Sequence, residues 1–247
     1  MVKASSQQTP KGDTPVRQDF KVALDLFREA GADDAAIEFM RWYVLHDRLS
    51  FPVHNTYLFT HTGDNELSVL HPAFRLWRDR MTRQLLVSSY EPDPLNWGYP
   101  GYKSWEKALL DHGVDERDIH SVFHPQDQGL NTNSEAIAFV AFAKERRIKE
   151  VAFISTIFHQ PRAIINIATV AMRNYPNLRI QSIVGDVLPW NEKVKHSQGT
   201  TVGTRRELVR SEWDRIVRYT AKGDLAPIGE LKEYFSSRDV EENRVRL

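Results

Sequence analysis

The chain is predicted to adopt an α/β fold, a doubly wound, mainly parallel sheet in a Rossmann-like three-layer α/β/α arrangement with helical N- and C-terminal additions. Three observations predict it. From Asn55 onward, short apolar runs rich in β-branched and aromatic residues recur: "TYLFT", "QLLVSS", "IHSVF", "EVAFIST" and "RIQSIVG". Stretches with helical periodicity, 73–83, 103–113, 134–147 and 161–174, lie between them. Strands alternating with helices imply right-handed crossovers and a sheet covered on both faces.

Taken in order, residues 1–15 form a polar tail containing Pro and Gly, expected to be disordered. Residues 16–50 read as N-terminal helices packed on the core. The first, "PVRQDFKVALDLFREAG", puts Phe20, Val22, Ala23, Leu26 and Phe27 on one face and ends at Gly31, a C-cap candidate. The second, "DDAAIEFMRWYVLHDRL", opens with an acidic turn suited to a helix N-terminus. Residues 51–190 are assigned to the Rossmann-like domain, with strands expected at 56–60, 85–88, 119–123, 150–155 and 179–184. Residues 191–247 read as a loop and C-terminal helices completing the same domain. The stretch "DVLPWNEKVKHSQGTTVGT" is read as one long loop, followed by the helix "RRELVRSEWDRIVRYTAKG". On that helix Leu208, Trp213, Ile216, Val217 and Tyr219 form the expected buried stripe, and its arginines a solvated face.

Composition narrows the function classes. The 33 basic and 33 acidic side chains balance, which disfavours a non-specific nucleic-acid binder. The absence of cysteine rules out a disulfide framework, a thiolate zinc site and a cysteine nucleophile. No N-terminal segment resembles a signal peptide, and no run approaches the ~18 apolar residues of a membrane span. The protein is expected to be soluble and cytoplasmic. Its oligomeric state is not legible.

Chemistry is expected where strands run into helices, since open parallel sheets bind ligands at their carboxyl edge. In "STIFHQPRAII", Ser155 and Thr156 end a strand, Pro161 suits a first helical turn and Arg162 sits within it. A cation there opposes the helix dipole by ~0.3–1 kcal/mol unless an anion is near. Two readings stand side by side: His159 and Arg162 make an anion or nucleotide site, or His159 caps the helix while Arg162 pairs with a surface carboxylate. At the preceding junction Asn131, Thr132, Asn133 and Ser134 are all capping residues, more than one cap requires. The exits after Thr60 and Val87 should open on the same edge, adding Asp64 and Ser88. His61, Asp64, His124, Asp127 and His159 could in principle share a metal, but no diagnostic spacing joins them, and no metal site is assigned. GxGxxG, GxxxxGK[ST] and GxSxG motifs are absent, which disfavours NAD, P-loop nucleotides and α/β-hydrolase chemistry.

Four elements in order resemble the domain of unknown function 218 family, the SanA/ElyC/YdcF-like proteins, over roughly residues 55–185. "STIFHQPRA" resembles the family's T-S-x-(aromatic)-H-x-x-R-A element through Thr156, Phe158, His159, Arg162 and Ala163. "LNTNSEA" resembles N-T-x-x-E-A through Asn131, Thr132, Glu135 and Ala136. "FRLWRDRMTRQLLVSS" matches an R-L segment and the strand after it at Arg75, Leu76 and Ser88, and a turn matches at Gly113, Val114 and Ile119. The family's glycine pair after its second strand is Ser89-Tyr90 here, and its glycine-rich first exit is "THTGDNELS". Many relatives are membrane-anchored; this chain is expected to lack that anchor.

The residues and the resemblance together imply a small-molecule enzyme or ligand-binding protein holding an anionic or nucleotide-like ligand. His159 and Glu135 are the candidate catalytic residues; Asp64, Arg75, Ser88, Asn131, Thr132, Ser155, Thr156 and Arg162 are the candidate ligand contacts. The cofactor is left open, a nucleotide-type ligand such as S-adenosylmethionine being one candidate. The alternatives are a non-catalytic sensor with the same pocket, and a protein-interaction module presenting Trp190, Trp213 and Tyr219.

Overall fold

The structure is a computed structural model that describes residues 18–47, 49–59, 67–91, 101–125, 129–196 and 201–245. The expected tail, and the calls on His61, Asp64 and Asp127, lie outside the described residues.

Five strands make one wholly parallel sheet: β1 (Asn55–Leu58), β2 (Gln84–Ser88), β3 (Ile119–Val122), β4 (Glu150–Ser155) and β5 (Arg179–Val184). Their spatial order is β3-β2-β1-β4-β5. Between them run α3 (Leu67–Arg78), α4 (Tyr102–Asp111), α5 (Thr132–Glu145) and α6 (Gln160–Asn174). Alternation along the strands sorts two cores. Tyr57, Leu86, Val122 and Phe153 face α5 and α6, whereas Leu58, Leu85, Val87 and Ile154 face α3 and α4. The expected three-layer α/β architecture is what the chain adopts.

The α6 side carries a further covering of α1 (Gln18–Glu29), α2 (Asp34–Phe39), α7 (Arg205–Ala221) and α8 (Ile228–Val245). Consequently every residue of α6 from Gln160 to Ala171 is buried.

Three local expectations change. The second helix is shorter than its pattern: α2 widens into a π-helical turn over Met40–Val44, where Leu45 N–H reaches back to Met40 O at 2.9 Å. The chain then leaves the helix, and Val44 O accepts from Ser182 Oγ of β5. The long loop after Gly185 contains an antiparallel hairpin, β6 (Lys193–His196) and β7 (Thr201–Thr204). Its first strand, "KVKH", holds one apolar residue, too few for a periodicity of two to register. On α7 the buried stripe is Leu208, Val209, Glu212, Trp213 and Ile216, while Val217 is exposed and Tyr219 only partly covered.

Candidate functional site at the carboxyl edge

At the end of β4 the chain turns tightly into α6. Thr156 O accepts from His159 N–H at 3.0 Å and from Gln160 N–H at 2.7 Å, and Pro161 occupies the first turn. With φ −94° and ψ −23°, His159 takes the position before the helix without capping it through its side chain. Its ring stacks on Phe59, with centroids 5.6 Å apart. Phe59 N–H donates to Ile154 O at 2.8 Å, so it lies beside β4 just past the end of β1. His159 therefore sits between the adjacent strands β1 and β4. In this strand order that gap is the topological switch point, where connections leave toward opposite faces.

The anion that offsets Arg162 is internal. Glu212, in the middle of the buried face of α7, exposes none of its side chain. His159 Nδ1–H donates to its Oε2 at 2.6 Å. Arg162 adds Nε–H to Oε2 at 2.6 Å and Nη2–H to Oε1 at 3.2 Å. Arg162 Nη1–H also donates to Thr132 Oγ1 at 2.6 Å, which ties in the start of α5. The expected choice between a ligand site and a cap with a surface pair resolves into a third arrangement: a buried His–Glu–Arg cluster holding α5, α6 and α7 together.

The polar residues before α5 divide their work. Asn131 caps the helix, its Oδ1 accepting from Asn133 N–H and Ser134 N–H, both at 3.0 Å, and Ser134 Oγ accepts in return from Asn131 N–H. Glu135 is buried and accepts from Tyr57 OH at 3.0 Å, beneath the helix rather than at its mouth. Ser88 is buried at the end of β2, with Tyr90 N–H 3.4 Å from its Oγ. Ser89 Oγ accepts from His124 N–H at 3.0 Å, and the buried Tyr90 ring meets the His124 ring edge-on. An aromatic ring is thus wedged between the exits of β2 and β3. Arg75 donates to Asp186 Oδ1 at 2.7 Å, while His71 Nδ1 lies 3.1 Å from Oδ2 of the same carboxylate.

Ser155 and Thr156 are buried, and neither hydroxyl has a hydrogen-bond partner among the described residues. His159, Ser155 and Thr156 are thus gathered at the strand end. Asn131, Thr132 and Arg162 instead line a cavity of about 420 Å³ beside the edge, together with Asn166, Arg215 and Arg218. A larger cavity of about 770 Å³ lies at the opposite, amino edge, lined by residues including His54, Gln84, His120 and Lys149. Ligands of open parallel sheets bind at the carboxyl edge, so the smaller cavity and the β1–β4 gap are the relevant places.

Glu212, Arg215 and Asn166 were not anticipated. A signal existed for Glu212: it stands four residues from both Leu208 and Ile216, on the apolar stripe of its helix. A carboxylate at such a position requires a buried cation and further donors, which Arg162 and His159 supply.

A scan against models of known protein families, a search of curated proteins and a search of solved structures each gave no match.

Proposed function

We propose that the protein is a small-molecule enzyme or ligand-binding protein that holds an anionic or nucleotide-like ligand at the carboxyl edge of the sheet, in the gap between β1 and β4. One observation carries this reading: at the end of β4, two buried hydroxyls without acceptors among the described residues lie next to a histidine fixed by a buried carboxylate. A buried polar group left unsatisfied costs about 1–3 kcal/mol. A phosphate or carboxylate oxygen accepting from Ser155 and Thr156 would remove that cost. Because His159 Nδ1–H donates to Glu212, Nε2 is the nitrogen through which acid or base chemistry would pass. Transfer or hydrolysis at a phosphate or another activated group suits such a histidine. The resemblance to the domain of unknown function 218 proteins involves the same strand end and supports the same reading.

A non-catalytic sensor is the second reading, favoured by the complete burial of the His159 side chain. The test begins with mass spectrometry of small molecules that co-purify with the native protein, followed by calorimetry and turnover assays on that compound. In an enzyme, His159→Gln should lower turnover by roughly 10²–10⁴-fold with affinity nearly intact. In a sensor the same change should weaken binding, with no turnover to lose. Affinity and turnover unchanged in both His159→Gln and a Ser155→Ala/Thr156→Val variant would reject the site.

A further inference from the structure

The cavity beside the edge, between the start of α5, the first two turns of α6 and the body of α7, is cationic beyond its internal needs. Arg162, Arg215 and Arg218 all line it. Glu212 accepts from Arg215 Nη1–H at 3.2 Å, but its oxygens already take His159 and two nitrogens of Arg162. Asp224 is the one carboxylate in the lining among the described residues. Arg218 makes no ion pair among the described residues; its guanidinium lies over the Tyr219 ring, 5.0 Å from the centroid. Burial lowers the pKa of Arg215, and the neighbouring Arg162 and Arg218 add to this against the attraction of Glu212. The fold holds positive charge where it is disfavoured, a situation that a bound anion relieves.

Asn166 gives an independent sign of a ligand. It is only 5% exposed, it lines the cavity, and its Oδ1 has no hydrogen-bond partner among the described residues. An acceptor inside a cationic cavity suits a ligand that carries a hydroxyl next to its anionic group. The helix N-terminus is not the main attraction here, because Asn131 already caps the N–H groups of Asn133 and Ser134. The volume, about 420 Å³, lies within the range of about 300–1,000 Å³ usual for small-molecule pockets.

We propose that this cavity is a second binding site, distinct from the β1–β4 gap, for a phosphorylated polyol. Arg215 and Arg218 hold the phosphate, and Asn166 Oδ1 accepts from a neighbouring hydroxyl of the ligand. Calorimetry on the full chain with ribose 5-phosphate, inorganic phosphate and ribose as probes tests it. Ribose 5-phosphate should bind saturably, inorganic phosphate more weakly and ribose not at all. Arg218→Gln should weaken ribose 5-phosphate roughly 10–100-fold, the scale of hydrogen bonds to a charged group. Its melting temperature should match the parent's, since Arg218 is exposed and makes no ion pair among the described residues. Asn166→Ala should weaken ribose 5-phosphate about 3–10-fold, one neutral hydrogen bond, and leave inorganic phosphate unchanged. Ser155→Ala/Thr156→Val should leave ribose 5-phosphate binding unaltered, which separates this site from the β1–β4 gap. The proposal is overturned if neither phosphate probe binds saturably, if Arg218→Gln binds like the parent, or if Asn166→Ala weakens both phosphate probes alike. Loss of ribose 5-phosphate binding in the Ser155/Thr156 variant would also overturn it, by moving the ligand to the strand end.

Discussion

A carboxylate with no exposed surface is costly to desolvate, and Glu212 is held against that cost by donors from His159, Arg162 and Arg215. The arrangement is asymmetric in its consequences. Removing the carboxylate leaves the Arg162 guanidinium buried without its counter-charge, whereas removing both charges leaves only a packing problem. Glu212→Ala should therefore destabilise the fold by about 3–5 kcal/mol. An Arg162→Met/Glu212→Leu variant should recover a good part of that loss, because it removes the buried guanidinium together with the carboxylate. Urea unfolding of the three proteins measures both values. A loss below about 1 kcal/mol in Glu212→Ala would mean that the cluster behaves as a solvated surface pair.

The element most constrained by its neighbours is the exit of β5. Gly185 donates to Ser155 O at 2.8 Å, and Asp186 N–H reaches Ser68 O in the first turn of α3. A Cβ at position 185 would stand 2.4 Å from Ser68 O and 3.0 Å from Ser155 O. Both are backbone atoms, so neither can rotate aside, and α3 or β5 would have to move. Gly185→Ala should cost at least the ~1–3 kcal/mol of an overpacked core, read as a shift in the urea midpoint at unchanged slope. Tolerance of alanine would mean that the β5 exit and α3 are not so closely seated. The α7 element shows the opposite economy. Its start is fixed locally by a capping box, in which Thr204 Oγ1 accepts from Glu207 N–H at 3.2 Å and Glu207 accepts from Thr204 N–H at 2.8 Å. Its packed face, through Glu212, then meets His159 and Arg162 at the start of α6, and Arg162 in turn reaches Thr132 of α5.

For the whole molecule, the asymmetry of the two faces matters most. One face of the sheet is covered by α3 and α4, whereas α5 and α6 are themselves overlaid by α1, α2, α7 and α8. That leaves α6 enclosed, with some of its polar groups bonded from inside: Gln160 Nε2 donates to Phe153 O and Ser182 Oγ, and Thr169 Oγ1 accepts from Ala226 N–H. A helix buried on all sides opens only with the global unfolding of its domain. Native-state hydrogen exchange should therefore find the amides of 163–171 among the slowest in the chain, with protection equal to the global stability. Faster exchange there than in α3 would show that the outer helices come away from the core independently. No helix among the described residues is long and apolar enough to cross a membrane.

The sequence alone determined the sheet. Each strand is an apolar run and each crossover a helical one, both written within a few consecutive residues, so β4, α6 and the Pro161 turn between them were legible where they occur. That a cap lies among Asn131, Thr132, Asn133 and Ser134 was legible for the same reason; that Asn131 fills it was not. Only the tertiary structure decided what the polar residues at the junctions do. Arg162 and His159 are separated from Glu212 by 50 and 53 positions, and no local pattern states that pairing. The π-helical turn after α2 answers to β5, and the cationic cavity exists only where three helices meet. Local periodicity encodes which face is buried; the identity of a charge's partner is set by packing between elements far apart in the chain, and the sequence records that only as an ionisable residue on an apolar stripe.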